Sequence, residues 1–189
     1  MTDLLWLGQG INVEVKQAIR TAPTMDKFDF EEVYRDNIAY LWRTLQRLGV
    51  PAADLEDRAH DVFSIVHRKQ DSFEQGRAIR PWLFGIAFRV ASDARKKAKH
   101  RETSELGQEH PDSNLPHDQH STKRQMVMTG LAQLSLEQRA VVVMHDLDGY
   151  TAPEIASELQ IALNTVYSRL RLGRARFVMA VRAADRGED

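Results

Sequence analysis

A chain of 189 residues with 42% hydrophobic side chains is long enough for one domain or two small ones. Its formal net charge is −1 and it contains no cysteine, which excludes disulfides, thiolate zinc sites and thiol redox sensing within this chain. No stretch approaches the roughly 20 apolar residues of a membrane span, and the apolar run from Leu4 to Leu7 follows Asp3 and is too short for a signal peptide, so a soluble, cytoplasmic protein without membrane insertion is expected.

Almost every periodic segment reads as helix. Residues 1–25 form an N-terminal extension with apolar Leu4, Leu5, Trp6, Leu7 and Ile11. From Phe28 to Leu48, the residues Phe30, Val33, Tyr34, Ile38, Leu41, Leu45 and Leu48 recur at three- and four-residue spacing and predict one buried face. Gly49 and Pro51 then end the helix. Asp54 is a plausible N-cap for the next one, whose stripe is Leu55, Ala59, Val62, Phe63 and Val66 and whose other face shows Glu56, Asp57, His60, Asp61 and Ser64. Gln70 to Arg80 loses periodicity, contains Gly76 and reads as a loop. Pro81 suits the first turn of a third helix, because its missing N–H has no partner there anyway. That helix buries Leu83, Ile86 and Val90 before turning basic.

Periodicity disappears over 102–125, which is rich in Asp, Ser, Gln, His and Pro and reads as a flexible linker. His110, His117 and His120 lack helical spacing and cysteine support, so a solvated tether is expected there and no metal site. A second domain is expected over 126–185. Ser135 with Gln138 is a capping-box pattern opening a helix through Leu147, and Gly149 ends it. Thr151 with Glu154 is another such box, starting a short helix with Ile155, Ala156 and Leu159 apolar. After a turn at Gln160 to Ala162, a long helix carries Val166, Leu170, Phe177 and Val181 inward. Two short-linked helices, the second longer and basic, have the layout of a helix-turn-helix. The fold class is therefore all-α, with two small helical domains joined by a linker.

Positive charge is segregated in a chain that is nearly neutral. Arg89 to Arg101 holds six Lys or Arg against Asp93 alone, and Leu163 to Arg182 holds five arginines and no acid. Two separated basic helices suit a protein that grips a polyanion at two places. On the last helix, Asn164, Ser168, Arg171 and Ala175 point away from Val166, Leu170 and Phe177, with Thr165, Tyr167 and Leu172 on the flanks. Asn pairs with adenine and Arg with guanine through two hydrogen bonds each, which makes Asn164 and Arg171 the best candidate base readers. Arg169, Arg174 and Arg176 lie nearer the core margin, where they suit phosphates or acids such as Glu154. In the first half, Phe73, Trp82, Phe84 and Phe88 surround a loop that leads into a basic helix, as single-stranded bases require for stacking. Phe84 is expected in the core; Trp82 suits either role.

With these residues in view, the chain resembles bacterial sigma factors of the sigma-70 family, in the small extracytoplasmic-function (ECF) class. Asp54 to Phe63, DLEDRAHDVF, resembles the helix that docks on the clamp of core RNA polymerase. Pro81 to Lys97, PWLFGIAFRVASDARKK, resembles the segment that binds and opens the minus-ten promoter element. Thr151 to Arg174, TAPEIASELQIALNTVYSRLRLGR, resembles the helix-turn-helix that reads the minus-thirty-five element. The likeness spans Phe28 to Val181. It implies a region 2-like domain over 26–101 and a region 4-like domain over 126–185. It further implies that Glu56, Asp57, His60 and Asp61 face polymerase, and that the loop from Gln70 to Arg80 captures an extruded base. Trp82, Arg89, Arg95, Lys96 and Lys97 would then serve the minus-ten element. Asn164, Thr165, Tyr167, Ser168, Arg169, Arg171 and Arg174 would serve the other. Core RNA polymerase, promoter DNA and an anti-sigma factor are the implied partners, no cofactor is implied, and covalent chemistry belongs to the polymerase.

Several positions depart from the family pattern. His60 stands where Gln is usual, Gln160 replaces the turn glycine, Ala162 is a poor cap, and Tyr167 and Leu172 occupy commonly basic positions. Gly173 inside the helix costs about 1 kcal/mol unless something packs closely there. The alternative reading is a conventional helix-turn-helix regulator that dimerises through its N-terminal helices. A nucleic-acid enzyme finds no support in clustered carboxylates, metal-ligand spacing or a nucleophile–base pair.

Overall fold

The computed structural model describes residues 28–74, 76–102 and 119–186, and is helical throughout those residues, with no strand among them. The first unit comprises α1 (Phe30–Leu48), α2 (Leu55–Lys69) and α3 (Ile79–Glu102), packed on one another. Asp29 caps α1, its Oδ1 accepting from the backbone N–H of Glu31 at 2.9 Å and of Glu32 at 3.2 Å; a cap of this kind is worth about 1 kcal/mol. Gly49 closes the helix in the left-handed region at φ 86°, as the Gly–Pro signal required. Asp54 precedes α2 but makes no side-chain capping bond; a 3₁₀ turn over Ala52–Asp54 leads in instead.

All five expected stripe residues of α2 are buried, and so are Leu83, Ile86 and Val90 of α3. Phe84 is fully buried, as expected. On α1 the expectation holds for Val33, Leu41, Leu45 and Leu48 but fails for Tyr34, which is 46% exposed. Its ring lies 4.6 Å from that of Phe63 and 6.5 Å from Phe30, so it borders the core without entering it. A further face of α1 is buried as well, with Asn37, Tyr40 and Thr44: Asn37 bonds to Val33 O and Arg80 within the first unit, while Tyr40 meets Asp148 of the second.

That unit comprises α4 (Gln119–Ala132), α5 (Leu136–Val142) continued by a π-helical turn (Val143–Leu147), α6 (Ala152–Leu159) and α7 (Leu163–Asp185). Helix α4 begins seven residues before the expected domain start at 126, so the backbone of 119–125 is helical where a linker was expected. Ser135 accepts from the Gln138 N–H at 3.3 Å, but the reciprocal half of that box is missing because Gln138 Oε1 accepts from Arg176. The Thr151–Glu154 box is complete. Helix α7 packs Val166, Leu170, Gly173 and Phe177 against α4 and α5. A Cβ at Gly173 would lie 2.8 Å from Val142 Cγ2, which is the close approach that accounts for glycine in mid-helix. The two units are not separate: α6 packs on α3, and α5 and α4 pack on α1.

Candidate nucleic-acid interface

The helix-turn-helix is built on a strained turn. Gln160 adopts φ 55°, ψ 47°, the left-handed conformation that costs a side-chain-bearing residue about 1 kcal/mol, and Ala162 offers no capping side chain. The backbone supplies the connection: Ile161 N–H donates to Ala156 O at 3.0 Å, and Thr165 N–H to Ala162 O at 2.9 Å. From this turn α7 presents Asn164, Tyr167, Ser168 and Arg171 to solvent on one exposed face, with Tyr167 53% exposed. Thr165 and Arg169 are half-buried at its edges. Ser168 Oγ donates to Thr165 O at 2.9 Å, which leaves its lone pairs toward solvent.

Arg174 is engaged elsewhere. Its Nε donates to Asp146 Oδ2 at 2.9 Å and its guanidinium also meets Asp146 Oδ1, while His145 Nδ1 lies 2.9 Å from Asp146 Oδ1 and 3.0 Å from Arg174. Burial alone would raise the Asp146 pKa, but the hydrogen bonds and charges of Arg174 and His145 hold it below the ordinary carboxylate value. Arg174 thus ties α7 to the π-helical turn. Arg176, at 3.0 Å from Gln138 Oε1, ties it to α5.

On the first unit, Arg89, Arg95 and Lys96 are exposed along α3, with Lys96 Nζ 3.7 Å from Asp93 in a loose surface pair. Lys97 falls outside the residues whose side chains are described, as do His110, His117 and His120, while residues 1–25 lie outside the described structure. Trp82 is half-buried in an aromatic group, 5.0 Å from the Phe73 ring and 6.2 Å from Phe28. The segment between α2 and α3 is therefore braced from within, by a 3₁₀ turn (Gln70–Ser72) and by Phe73 turned into the core. On α2, Glu56, Asp57 and His60 are exposed and Asp61 is half-buried, paired with Arg58.

The residues that join the two units were not singled out by sequence pattern. Asp148, 91 positions beyond Asp57 in the chain and buried, accepts from Tyr40 OH at 3.1 Å and from Arg47 at 3.1 Å. Burial raises its pKa more than the Arg47 charge and the Tyr40 hydrogen bond lower it. Glu158, also buried, pairs with Arg77 and rests on Gly85, and burial likewise raises its pKa. Arg139 is buried against Gly49, donates to Ala132 O and Leu134 O, and has its pKa lowered to about 10 by desolvation. The one signal available in sequence was a second α1 stripe of hydrogen-bonding residues, Asn37, Tyr40, Thr44 and Arg47, at helical spacing.

Comparison with known proteins bears on both units. The model of sigma-70 region 2 matches residues 33–101, and that of sigma-70 region 4 matches 124–177. The chain is 32% identical over 144 residues to the ECF RNA polymerase sigma factor SigL of Mycobacterium tuberculosis, covering 73% of this chain and 80% of SigL. This chain is an ECF sigma factor of the sigma-70 family. Other relatives of the sigma factor are SigM of M. tuberculosis, 29% identical over 80% of this chain and 76% of SigM, and NccH of Alcaligenes xylosoxydans, 24% identical over 87% and 93%. Its fold matches that of RpoE from Bartonella quintana, solved in complex with the anti-sigma factor NepR, with TM-score 0.70, 24% identity, and coverage of 82% of this chain and 97% of RpoE. It also matches CnrH, solved in complex with the cytosolic domain of CnrY, at TM-score 0.59 and 20% identity, over 89% and 95%. The sigma factor acts in transcription initiation, which sets aside the conventional dimeric regulator. Among its described residues no helix is long and apolar enough to cross a membrane.

Proposed function

We propose that this sigma factor binds core RNA polymerase through the acidic face of α2, and that it contacts promoter DNA at two places. Residues 26–101 serve polymerase and the minus-ten element, 102–125 link the halves, and 126–185 read the minus-thirty-five element. Glu56, Asp57, His60 and Asp61 meet the polymerase clamp. Trp82 and the α3 cations Arg89, Arg95, Lys96 and Lys97 hold melted DNA, where flipping a base costs a few kcal/mol that stacking and phosphate contacts must offset. Asn164, Tyr167, Ser168 and Arg171 face the major groove, with Thr165 and Arg169 at its margin. Arg174 reaches phosphate by exchanging its Asp146 partner for it. The protein works in the cytoplasm, makes and breaks no covalent bond itself, and is held inactive by an anti-sigma factor; its structural relative RpoE was solved bound to the anti-sigma factor NepR.

The observation that carries this reading is the exposed row Asn164, Ser168 and Arg171, opposite buried Val166, Leu170 and Phe177, on the second helix of a helix-turn-helix. The test is size-exclusion chromatography of the purified chain with bacterial core RNA polymerase. Comigration that another sigma factor competes away is the expected result. A chain that elutes alone in the presence of polymerase overturns the assignment of the α2 face.

A further inference from the structure

One stripe of α1 is apolar and open. Tyr34, Ile38 and Trp42 recur every four residues along it; Trp42 is 38% exposed, Tyr34 46%, and Ile38 is half-buried. Helix α2 borders the stripe, with the Tyr34 ring 4.6 Å from Phe63 and the Phe30 ring 5.0 Å from His67. Two helices packed side by side leave a groove of the kind that a further helix fills in a bundle. Met1 to Lys27 lead into this end of α1 through Phe28 and the cap Asp29. Within that segment Ile11, Val15, Ala18, Ile19 and Ala22 recur at three- and four-residue spacing, bounded by Gly10 and Pro23. This spacing predicts an amphipathic helix over 11–22, whose apolar side has no partner within the segment.

We infer that residues 11–22 pack as a helix on this stripe, antiparallel to α1, and complete the first unit as a four-helix body. The linker sets the direction. Pro23 to Lys27 reach about 17 Å when extended, enough to cross the roughly 8–10 Å between packed helix axes. A parallel arrangement would also have to run back along the helix, about 18 Å for residues 11–22, which that linker cannot do. Antiparallel packing brings the two apolar rows into one register: Ile19 falls level with Tyr34, Val15 with Ile38 and Ile11 with Trp42. Both rows advance by four residues per step, so all three pairs meet together. Charge agrees with the same register, since Arg20 comes level with Glu31 and Glu32, and Lys16 with Asp36, on the flank away from α2. Asp57 and Asp61 point away from Phe63 on α2, so the docked helix leaves them open.

The absence of native cysteine allows a direct test in the full chain. Lys16→Cys is paired with Ala39→Cys, an exposed α1 position beside the stripe, and the dilute protein is treated with a short bismaleimide. A control pairs Lys16→Cys with Arg68→Cys, exposed on another face of α2 and within reach of a freely swinging segment. Denaturing electrophoresis and peptide mass spectrometry follow the internal cross-link, and circular dichroism establishes that each variant is folded. The expected result is cross-linking at Ala39 about tenfold faster than at Arg68, because a docked thiol is locally more concentrated than a tethered one. Adding Val15→Asp and Ile19→Asp, which lie outside the packed core of the first unit, should lower the Ala39 rate to that of the control. Equal rates for the two pairs overturn the inference, as does an Ala39 rate that the two aspartates leave unchanged. A product joining two chains would give the stripe to a second copy and overturn it as well. The readout involves neither polymerase nor DNA, so it stands or falls apart from the proposed function.

Discussion

Arg47 and Asp148, 101 positions apart, meet at 3.1 Å, and Tyr40 OH donates to the other carboxylate oxygen of Asp148 at the same distance. This arrangement satisfies an otherwise costly buried charge from one face of one helix, by residues about two turns apart. Asp148→Ala leaves the Tyr40 hydroxyl buried without its acceptor and Arg47 without its counter-ion. Urea denaturation should show a loss of about 2–3 kcal/mol, whereas exposed Asp185→Asn should change stability by less than about 0.5 kcal/mol.

Gly173→Ala pits helix propensity against packing. The substitution gains about 1 kcal/mol of intrinsic helix stability, but the new methyl would sit 2.8 Å from Val142 Cγ2 and 3.1 Å from Leu134 Cδ2. Overpacking costs typically 1–3 kcal/mol, so the melting temperature should fall. A rise would mean that α7 can move away from α5.

The Asp146 carboxylate has a folded-state pKa below its ordinary value, so it stabilises the fold above that ordinary value and loses this contribution as pH falls through the lowered one. Arg174→Met removes the hydrogen bonds and the guanidinium charge that produce the depression. The stability difference between parent and variant should be full at neutral pH and shrink under acid. A pH-independent difference would assign the effect to lost packing instead.

Reversing the acidic face of α2 with Asp57→Lys and Asp61→Lys should abolish comigration with core polymerase while the far-ultraviolet dichroism is retained. Asp57 is exposed, and the Asp61–Arg58 pair is a surface pair worth about 0–1 kcal/mol.

Arg171→Ala should cost about 1–3 kcal/mol at a single base pair of the minus-thirty-five element if Arg171 reads a base edge. Binding measured across single-base variants of that element decides it. A uniform loss at every variant would place the guanidinium on phosphate.

Much of the molecule was legible in one dimension because an amphipathic helix declares its buried side through spacing alone. The α2 stripe from Leu55 to Val66 and the α7 stripe from Val166 to Phe177 are buried as read, and the Thr151–Glu154 box is where the pattern put it. Even Gly173, an anomaly by propensity, pointed to the close approach it makes with Val142. The exposed row on α7 followed by exclusion from that stripe.

What sequence could not reveal is what covers the second stripe of α1: Asn37, Tyr40 and Thr44 are buried, and Tyr40 meets Asp148 of the other unit. Tyr34 errs in the opposite sense: its spacing fits the stripe, yet none of the described residues covers its outer side. Arg174 reads as a phosphate contact by charge, and only the fold brings Asp146 within reach. Local periodicity reports how a helix meets its own neighbours at 3.6 residues per turn. Pairings such as Arg47–Asp148 and Arg77–Glu158 join residues that have no sequence relationship, so they exist only once tertiary packing brings them together and removes the water between them.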